Sequence, residues 1–321
     1  RMAADYRRVD STISIGSSIV LSLPPPDPAV VLPALFRLLS RLPLAWVQML
    51  GAALGWLAYL LSPTYRRTLR ANLAQACLDE PALRCSAIAH AGRQAIEAAW
   101  LWQRAADEIA GCVREAEPGS LARLLDDPRP LLLLTPHLGS FEAAAQYYAT
   151  QPLARRRPMT VLFRPPRKQA LRRIIGERAR PGLLLAPASL AGVRMLMRAL
   201  RNGHTAGILP DQVPSQGEGA WVKFFGRPAY TMTLPARLAA ANGARIVFAL
   251  CERLPGGRGY LLRLVPFEQT LSGAIEADTQ RLNLALEALI RQCPTQYLWG
   301  YNRYKAPAGS AAVVDPNEAA P

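Results

Sequence analysis

The sequence predicts an α/β fold: a mostly parallel or mixed central sheet with helices on both faces, preceded by a helical N-terminal membrane-associated segment. Three observations carry this expectation. After Asp126, short apolar runs alternate with helical stretches, the pattern of strands joined by crossover helices and covered on both sides. Residues 64–125 are rich in Ala, Leu, Arg and Glu and poor in glycine, which favours helix. Residues 42–61, LPLAWVQMLGAALGWLAYLL, carry no charge over twenty positions. As a helix they would span roughly 30 Å, the thickness of a bilayer core. With 321 residues, half of them hydrophobic, the chain is long enough for one sizeable core with extensions.

Taken in order, residues 1–31 read as a flexible leader, with Arg1 before Met2, a proline cluster and no signal-cleavage pattern. Residues 32–125 form a helical region containing the apolar segment. Trp46, Trp56 and Tyr59 are interfacial anchors there, and Arg66, Arg67 and Arg70 form a basic flank that places the main body on the cytoplasmic side of a membrane. Arg37 and Arg41 weaken that asymmetry. Three readings of the segment stand open: a spanning helix, a helix lying in the interface, or a core helix, the last suggested by Gly51, Gly55 and Gln48. Residues 126–305 form the α/β core. Its expected strands are 130–136, 159–163, 205–210, 244–250 and 259–267. Its expected helices are SFEAAAQYYA, RKQALRRIIGERA, LAGVRMLMRALRNG and TLPARLAAANG. The Ala/Pro/Gly-rich tail, 306–321, reads as disordered. No internal repeat is present.

The formal charge is +15, from 38 Lys and Arg against 23 Asp and Glu, and only Lys168, Lys223 and Lys305 are lysines. Such a balance suits a polyanionic partner: nucleic acid, an anionic membrane, or an acidic substrate or carrier. A tethered nucleic-acid-binding protein would interleave basic residues with exposed aromatics or carry a recognised motif, and neither is present. Five scattered cysteines without C-x-x-C spacing argue against a structural zinc and fit a reducing compartment.

The chain has three histidines. His90 sits in a helical stretch as a surface or packing residue, and His204 follows a helix stop. His137 stands apart, in TPHLGSFEAA directly after Leu131–Leu134, with Glu142 five residues on. Inside one helix that spacing would turn the two side chains about 140° apart. They converge only with His137 in a strand-to-helix turn, which Pro136 and Gly139 favour, and Glu142 in the first helical turn behind Ser140 as N-cap. A loop imidazole beside a carboxylate is the arrangement a general base needs, and the helix N-terminus offers N–H groups to a developing oxyanion. Arg164 and Asp211 each follow an apolar run, where α/β enzymes place ligand-binding loops. No G-x-S-x-G nucleophile elbow occurs.

After an apolar helix, a basic stretch and ANLAQACL, five blocks in order resemble the lysophospholipid acyltransferase superfamily. Within it, the chain is most similar to the late acyltransferases of bacterial lipid A biosynthesis (the lauroyl/myristoyl transferase group), over roughly residues 35–305. TPHLGSFE matches the family's H-x-x-x-x-(D/E) motif. VLFRPPRKQALRRIIGERAR, GILPDQVPSQGEGAWVKFFGRPAYTMT, GARIVFALCER and QYLWGYNRYK match the later blocks. The second block departs, with RPPRKQ where many relatives have an Asn-Pro or Lys-Asn type sequence. The resemblance implies His137 as general base, Glu142 as its orienting partner, and Arg164, Asp211 and Gln212 as substrate-binding residues. It implies direct acyl transfer from an acyl thioester, on acyl carrier protein or coenzyme A, to a lipid hydroxyl at the cytoplasmic face of the bacterial inner membrane. The acceptor is a lipid A precursor or another membrane lipid: a glycolipid mannoside, an aminoacyl lipid or a lysophospholipid. Neither metal nor cofactor is implied, the thioester being a substrate.

Overall fold

A computed structural model describes residues 28–163, 176 and 178–307. The leader to residue 27, the tail from 308, and Arg164 with most of the second block lie outside the described residues.

Helices α1 (Pro28–Arg41), α2 (Leu44–Leu61), α3 (Pro63–Gln75), α4 (Pro81–Gln103) and α5 (Ala106–Cys112) come first. Strand β1 (Val113–Glu115) and helix α6 (Ser120–Asp126) lead into β2 (Leu131–Leu134) and α7 (Phe141–Thr150). Then follow β3 (Met159–Phe163), β4 (Leu183–Pro187), α8 (Leu190–Arg201) and β5 (Thr205–Ile208). The hairpin β6 (Gly219–Phe224) and β7 (Arg227–Met232) precedes α9 (Leu234–Asn242), β8 (Arg245–Arg253), β9 (Tyr260–Pro266) and α10 (Ile275–Gln292).

The expected sheet is present as seven strands in the order β1-β9-β8-β2-β5-β3-β4. Strands β8, β2, β5, β3 and β4 run parallel, and β9 is antiparallel to β8, so the sheet is mixed. β1 lies inside the stretch expected to be wholly helical, and β4 and the separate β6–β7 hairpin were not expected. Consecutive leucines in β2 show why the run has no polar position. Leu132 and Leu134 face the core that α8, α9 and α10 cover, while Leu131 and Leu133 face the one shared with α4, α5 and α7. Both faces are buried, so alternation is lost.

The apolar segment packs as a core helix along one side only. One face of α2 packs on α4, burying Leu44, Val47, Gln48, Gly51 and Gly55. A Cβ on Gly51 would lie 2.7 Å from the Arg93 Cα, and one on Gly92 would run into the Gly51 carbonyl oxygen and the Gly55 nitrogen, so only glycines permit this approach. The opposite face leaves Trp46, Met49, Leu50, Leu54, Leu57, Leu60 and Leu61 exposed in one helical stripe. The helix is long and apolar enough to cross a membrane, but under a third of it is buried in the protein. It is therefore a half-core helix with an uncovered apolar side.

Gly92→Val drives a branched side chain into the α2 backbone. The expected loss is about 1–3 kcal/mol or more, the usual range for overpacking. Urea unfolding of the variant should show a lower midpoint, and an unchanged midpoint would mean that α2 does not pack on α4 in solution.

Candidate active site

β2 and β5 pair in parallel with Leu134 opposite Ile208. Three residues further on, each chain reaches the same level at the C-terminal edge of the sheet: Thr135-Pro136-His137 on one, Leu209-Pro210-Asp211 on the other. The Thr135 N–H still donates to the Ile208 carbonyl at 2.9 Å, keeping the two exits together. Equal extensions from registered strands bring His137 and Asp211 into contact. The ring Nδ1 is 2.9 Å from Asp211 Oδ1, and the His137 backbone N–H donates to Oδ2 at 2.9 Å. An ionised carboxylate only accepts, so Nδ1 carries the proton and Nε2 presents its lone pair. Gln212 Nε2 lies 3.2 Å from that lone pair, and Phe141 meets the ring edge-on at 5.0 Å between centroids.

Asp211 is 2% exposed. Burial works to raise its pKa, but the electrostatic attraction of the His137 ring and the two hydrogen bonds from that residue outweigh it, and the carboxyl stays below its ordinary value. Fully buried Arg303 donates to the Tyr230 carbonyl and Thr231 hydroxyl, with its guanidinium over the Phe224 ring. Burial lowers its pKa against the opposing influence of Tyr297 and Asp211.

The carboxylate on His137 is therefore Asp211, not Glu142, which corrects the pairing expected from the five-residue spacing. Glu142 does sit in the first turn of α7, but its Oε2 accepts from Arg178 Nε at 2.8 Å and Trp102 Nε1 at 3.0 Å. The helix turns its side chain away from the imidazole toward the end of α4. Ser140 occupies the N-cap position without a side-chain cap hydrogen bond.

The turn holding His137 is over-determined. Gly139 has φ +63°, and a Cβ there would run into the Cys251 carbonyl, so this position requires glycine. Its N–H donates to the Gln296 carbonyl, the Ser140 N–H to Cys251, and the Leu298 N–H to the His137 carbonyl at 3.0 Å. Below the turn, Arg253 Nη2 donates to the Gly139 carbonyl at 2.9 Å, and its Nε to Glu97 Oε2 at 2.6 Å. Gln48 on α2 completes the chain by donating to Glu97 Oε1 at 2.9 Å. Gln48, Glu97, Arg253 and Gln296 are all buried. Sequence reasoning missed Trp102, Arg178, Glu97 and Arg253. The blocks of the resemblance contain Arg178, Arg253 and Gln296 without giving them a role, and Gln48 was noted only as a sign of a core helix.

A cavity of about 640 Å³ opens beside the pair, at the C-terminal ends of β3, β4 and β5. Apolar side chains dominate its wall, among them Leu162, Phe163, Val193, Ile208 and Met232, while Phe141 and Gln212, which neighbour His137, and the Glu142–Arg178 pair also line it. Among the described residues no group of three or more His, Cys, Asp or Glu side chains could hold a metal ion.

A model of the bacterial lipid A biosynthesis acyltransferase family matches residues 30–306. The lipid A biosynthesis lauroyltransferase of Escherichia coli (strain K12) is 31% identical over 113 residues, which is 34% of this chain and 37% of that protein. The alignment thus spans little more than a third of the relative's length.

Arg253→Met strands the Glu97 carboxylate in a buried site and frees the Gly139 carbonyl. Removing one partner of a buried pair costs about 3–5 kcal/mol. Chemical denaturation should register a loss of that order, and a change below about 1 kcal/mol would remove the network from any role in holding the turn.

Proposed function

We propose a mechanism for this chain on one premise: it belongs to the bacterial lipid A biosynthesis acyltransferase family. The enzyme moves a fatty acyl group from a thioester, on acyl carrier protein or coenzyme A, to a hydroxyl of a lipid A precursor. The observation that carries the mechanism is the His137–Asp211 contact beside an apolar cavity that reaches Gln212 and Phe141. His137 Nε2 takes the proton of the acceptor hydroxyl as its oxygen attacks the thioester carbonyl. Asp211 holds the tautomer and stabilises the imidazolium. The C–S bond then breaks, and the imidazolium returns the proton to the departing thiolate. Gln212 sits where the acceptor hydroxyl approaches, and the N-terminus of α7 directs its positive end toward the oxyanion. The cavity takes the acyl chain. Glu142 acts through Arg178, fixing the polar side of the cavity, and Arg164 remains a proposed substrate contact.

The exposed stripe of α2 supports docking on the cytoplasmic face of the inner membrane, with Arg67 and Arg70 exposed on the helix that follows. Removing the whole segment before Thr64 would also strip Gln48 from Glu97 and open the core, so substitutions on the exposed face isolate docking from folding.

Two measurements test these assignments. With purified protein, an acyl thioester and a lipid A precursor, His137→Ala and Asp211→Asn should each lower kcat by about 10²–10⁴. Glu142→Gln should lose less than Asp211→Asn. The reverse order would restore Glu142 as the partner of the base, and near-normal turnover by folded His137→Ala would end the mechanism. In the second, Leu50→Glu with Leu54→Glu and Leu57→Glu should move the protein off phospholipid vesicles while hydrolysis of a short soluble thioester persists. Vesicle binding unchanged by all three substitutions would remove α2 as the docking face.

A further inference from the structure

Trp102, whose indole is tied to Glu142, is a wall shared by two cavities. The second, of about 700 Å³, lies between the ends of α4 and α7 and the segment before β4. Its chemistry differs from that of the first. Among the described residues, the lining includes Arg155, Arg180 and Gln151 but no Asp or Glu.

Arg180 is the informative residue. Its Nη2 donates to the Leu101 and Arg104 carbonyls, at 3.3 and 3.2 Å, at the C-terminal end of α4. That is an ordinary helix-end contact, and no carboxylate among the described residues serves as counter-ion to the charge. The Nε is buried with no hydrogen-bond partner among the described residues. Burial lowers the pKa of this arginine, with no carboxylate among the described residues to offset it. The contrast with Arg178 and Arg253 is direct, since each of those has a buried glutamate at 2.6–2.8 Å. A half-withdrawn cation beside a cavity whose described lining holds no acid is complementary to an anion that arrives from outside. Arg155 stands exposed at the rim, with no such helix-end duty.

We propose that this second cavity is an anion subsite that receives a phosphate group of a substrate, with Arg180 and Arg155 as its donors. The identity of the ligand rests on the acyl-transfer reading, under which the shared Trp102 wall puts the phosphate next to the acyl chain. Two sources carry that chemistry: a phosphate on the acceptor lipid, or a phosphate on the carrier of the donor thioester.

Calorimetric titration of the full-length protein with inorganic phosphate and with N-acetylglucosamine 1-phosphate tests the site without turnover. Wild type should bind at least one of them, and Arg180→Gln and Arg155→Gln should each weaken binding by about 10- to 100-fold, the range for lost hydrogen bonds to a charged group. Arg155→Gln leaves the α4 contact in place, so it separates anion binding from a helix-end role. No binding by wild type, or equal affinity in all three proteins, overturns the proposal. Steady-state kinetics then identify the source. Both variants should raise KM for either the phosphorylated acceptor or acyl-coenzyme A, with kcat within about threefold. KM for a phosphate-free N-acetylcysteamine thioester should be unchanged. An equal rise for the phosphate-free thioester assigns Arg180 to structure alone and also overturns the proposal. If wild type transfers no acyl group to any acceptor, the acyl-transfer reading fails, and the titration still decides the anion subsite.

Discussion

Four residue pairs, Leu131↔Thr205 through Leu134↔Ile208, set the position of everything at the candidate site. Bonds at both ends of the ladder hold this register, Leu131 N–H to the His204 carbonyl at 3.3 Å and Thr135 N–H to the Ile208 carbonyl at 2.9 Å. Once the register is set, His137 and Asp211 arrive level because each lies three residues past a paired strand end. The imidazole therefore acquires its partner from chain length and strand pairing rather than from proximity in sequence. Gln212, one residue further, comes with it.

A second constraint is electrostatic. This arginine-rich protein places several guanidinium groups inside, and each is handled differently. Arg253 has Glu97 and the Gly139 carbonyl. Arg178 has Glu142. Arg303 has backbone and hydroxyl acceptors and an aromatic face. In each case the desolvated charge orients a neighbour: the turn, the cavity wall, or the β7 strand behind Asp211. A buried ion pair contributes little net stability compared with apolar packing. Its contribution here is geometric, since a bent or shifted turn would leave a charge without its partner.

Much of the sheet was legible because apolar runs bounded by Pro and Gly mark fully buried parallel strands, and β2, β3, β5, β8 and β9 fall on such runs. Strand β1 was not, because three residues are too few to show a period. The β6–β7 hairpin was hidden by its turn: Phe225 and Gly226 both have positive φ, a geometry for which Asn-Gly is the usual signal, and Phe is a rare occupant. At the site, the place of His137 in a broken strand-to-helix turn was legible. Its partner was not. H-x-x-x-x-E is a local pattern, whereas the Asp211 contact spans 74 residues and depends on which strand lies beside β2. One trace of it exists in the sequence, the matching ends LTPH and ILPD, where a Pro precedes the polar residue after each run. Glu97 and Arg253 left no such trace, since their spacing of 156 residues means nothing until the fold is known.

The glycine contact between α2 and α4 has a mechanical meaning. Gly51, Gly55 and Gly92 bring the two backbones so close that α2 cannot roll or swing relative to the body, and the Gln48–Glu97 bond keys its rotation. The apolar stripe is thus mounted rigidly, like the sole of a boot rather than a ball on a string. Under the proposed docking, a bilayer that accepts the stripe would hold the whole protein in one attitude, with the mouth of the apolar cavity at a set height and tilt above the lipid. Reach toward an acceptor would then be decided by geometry built into the protein, and on that proposal acceptor hydroxyls at the wrong depth would be out of range however well they fit the site.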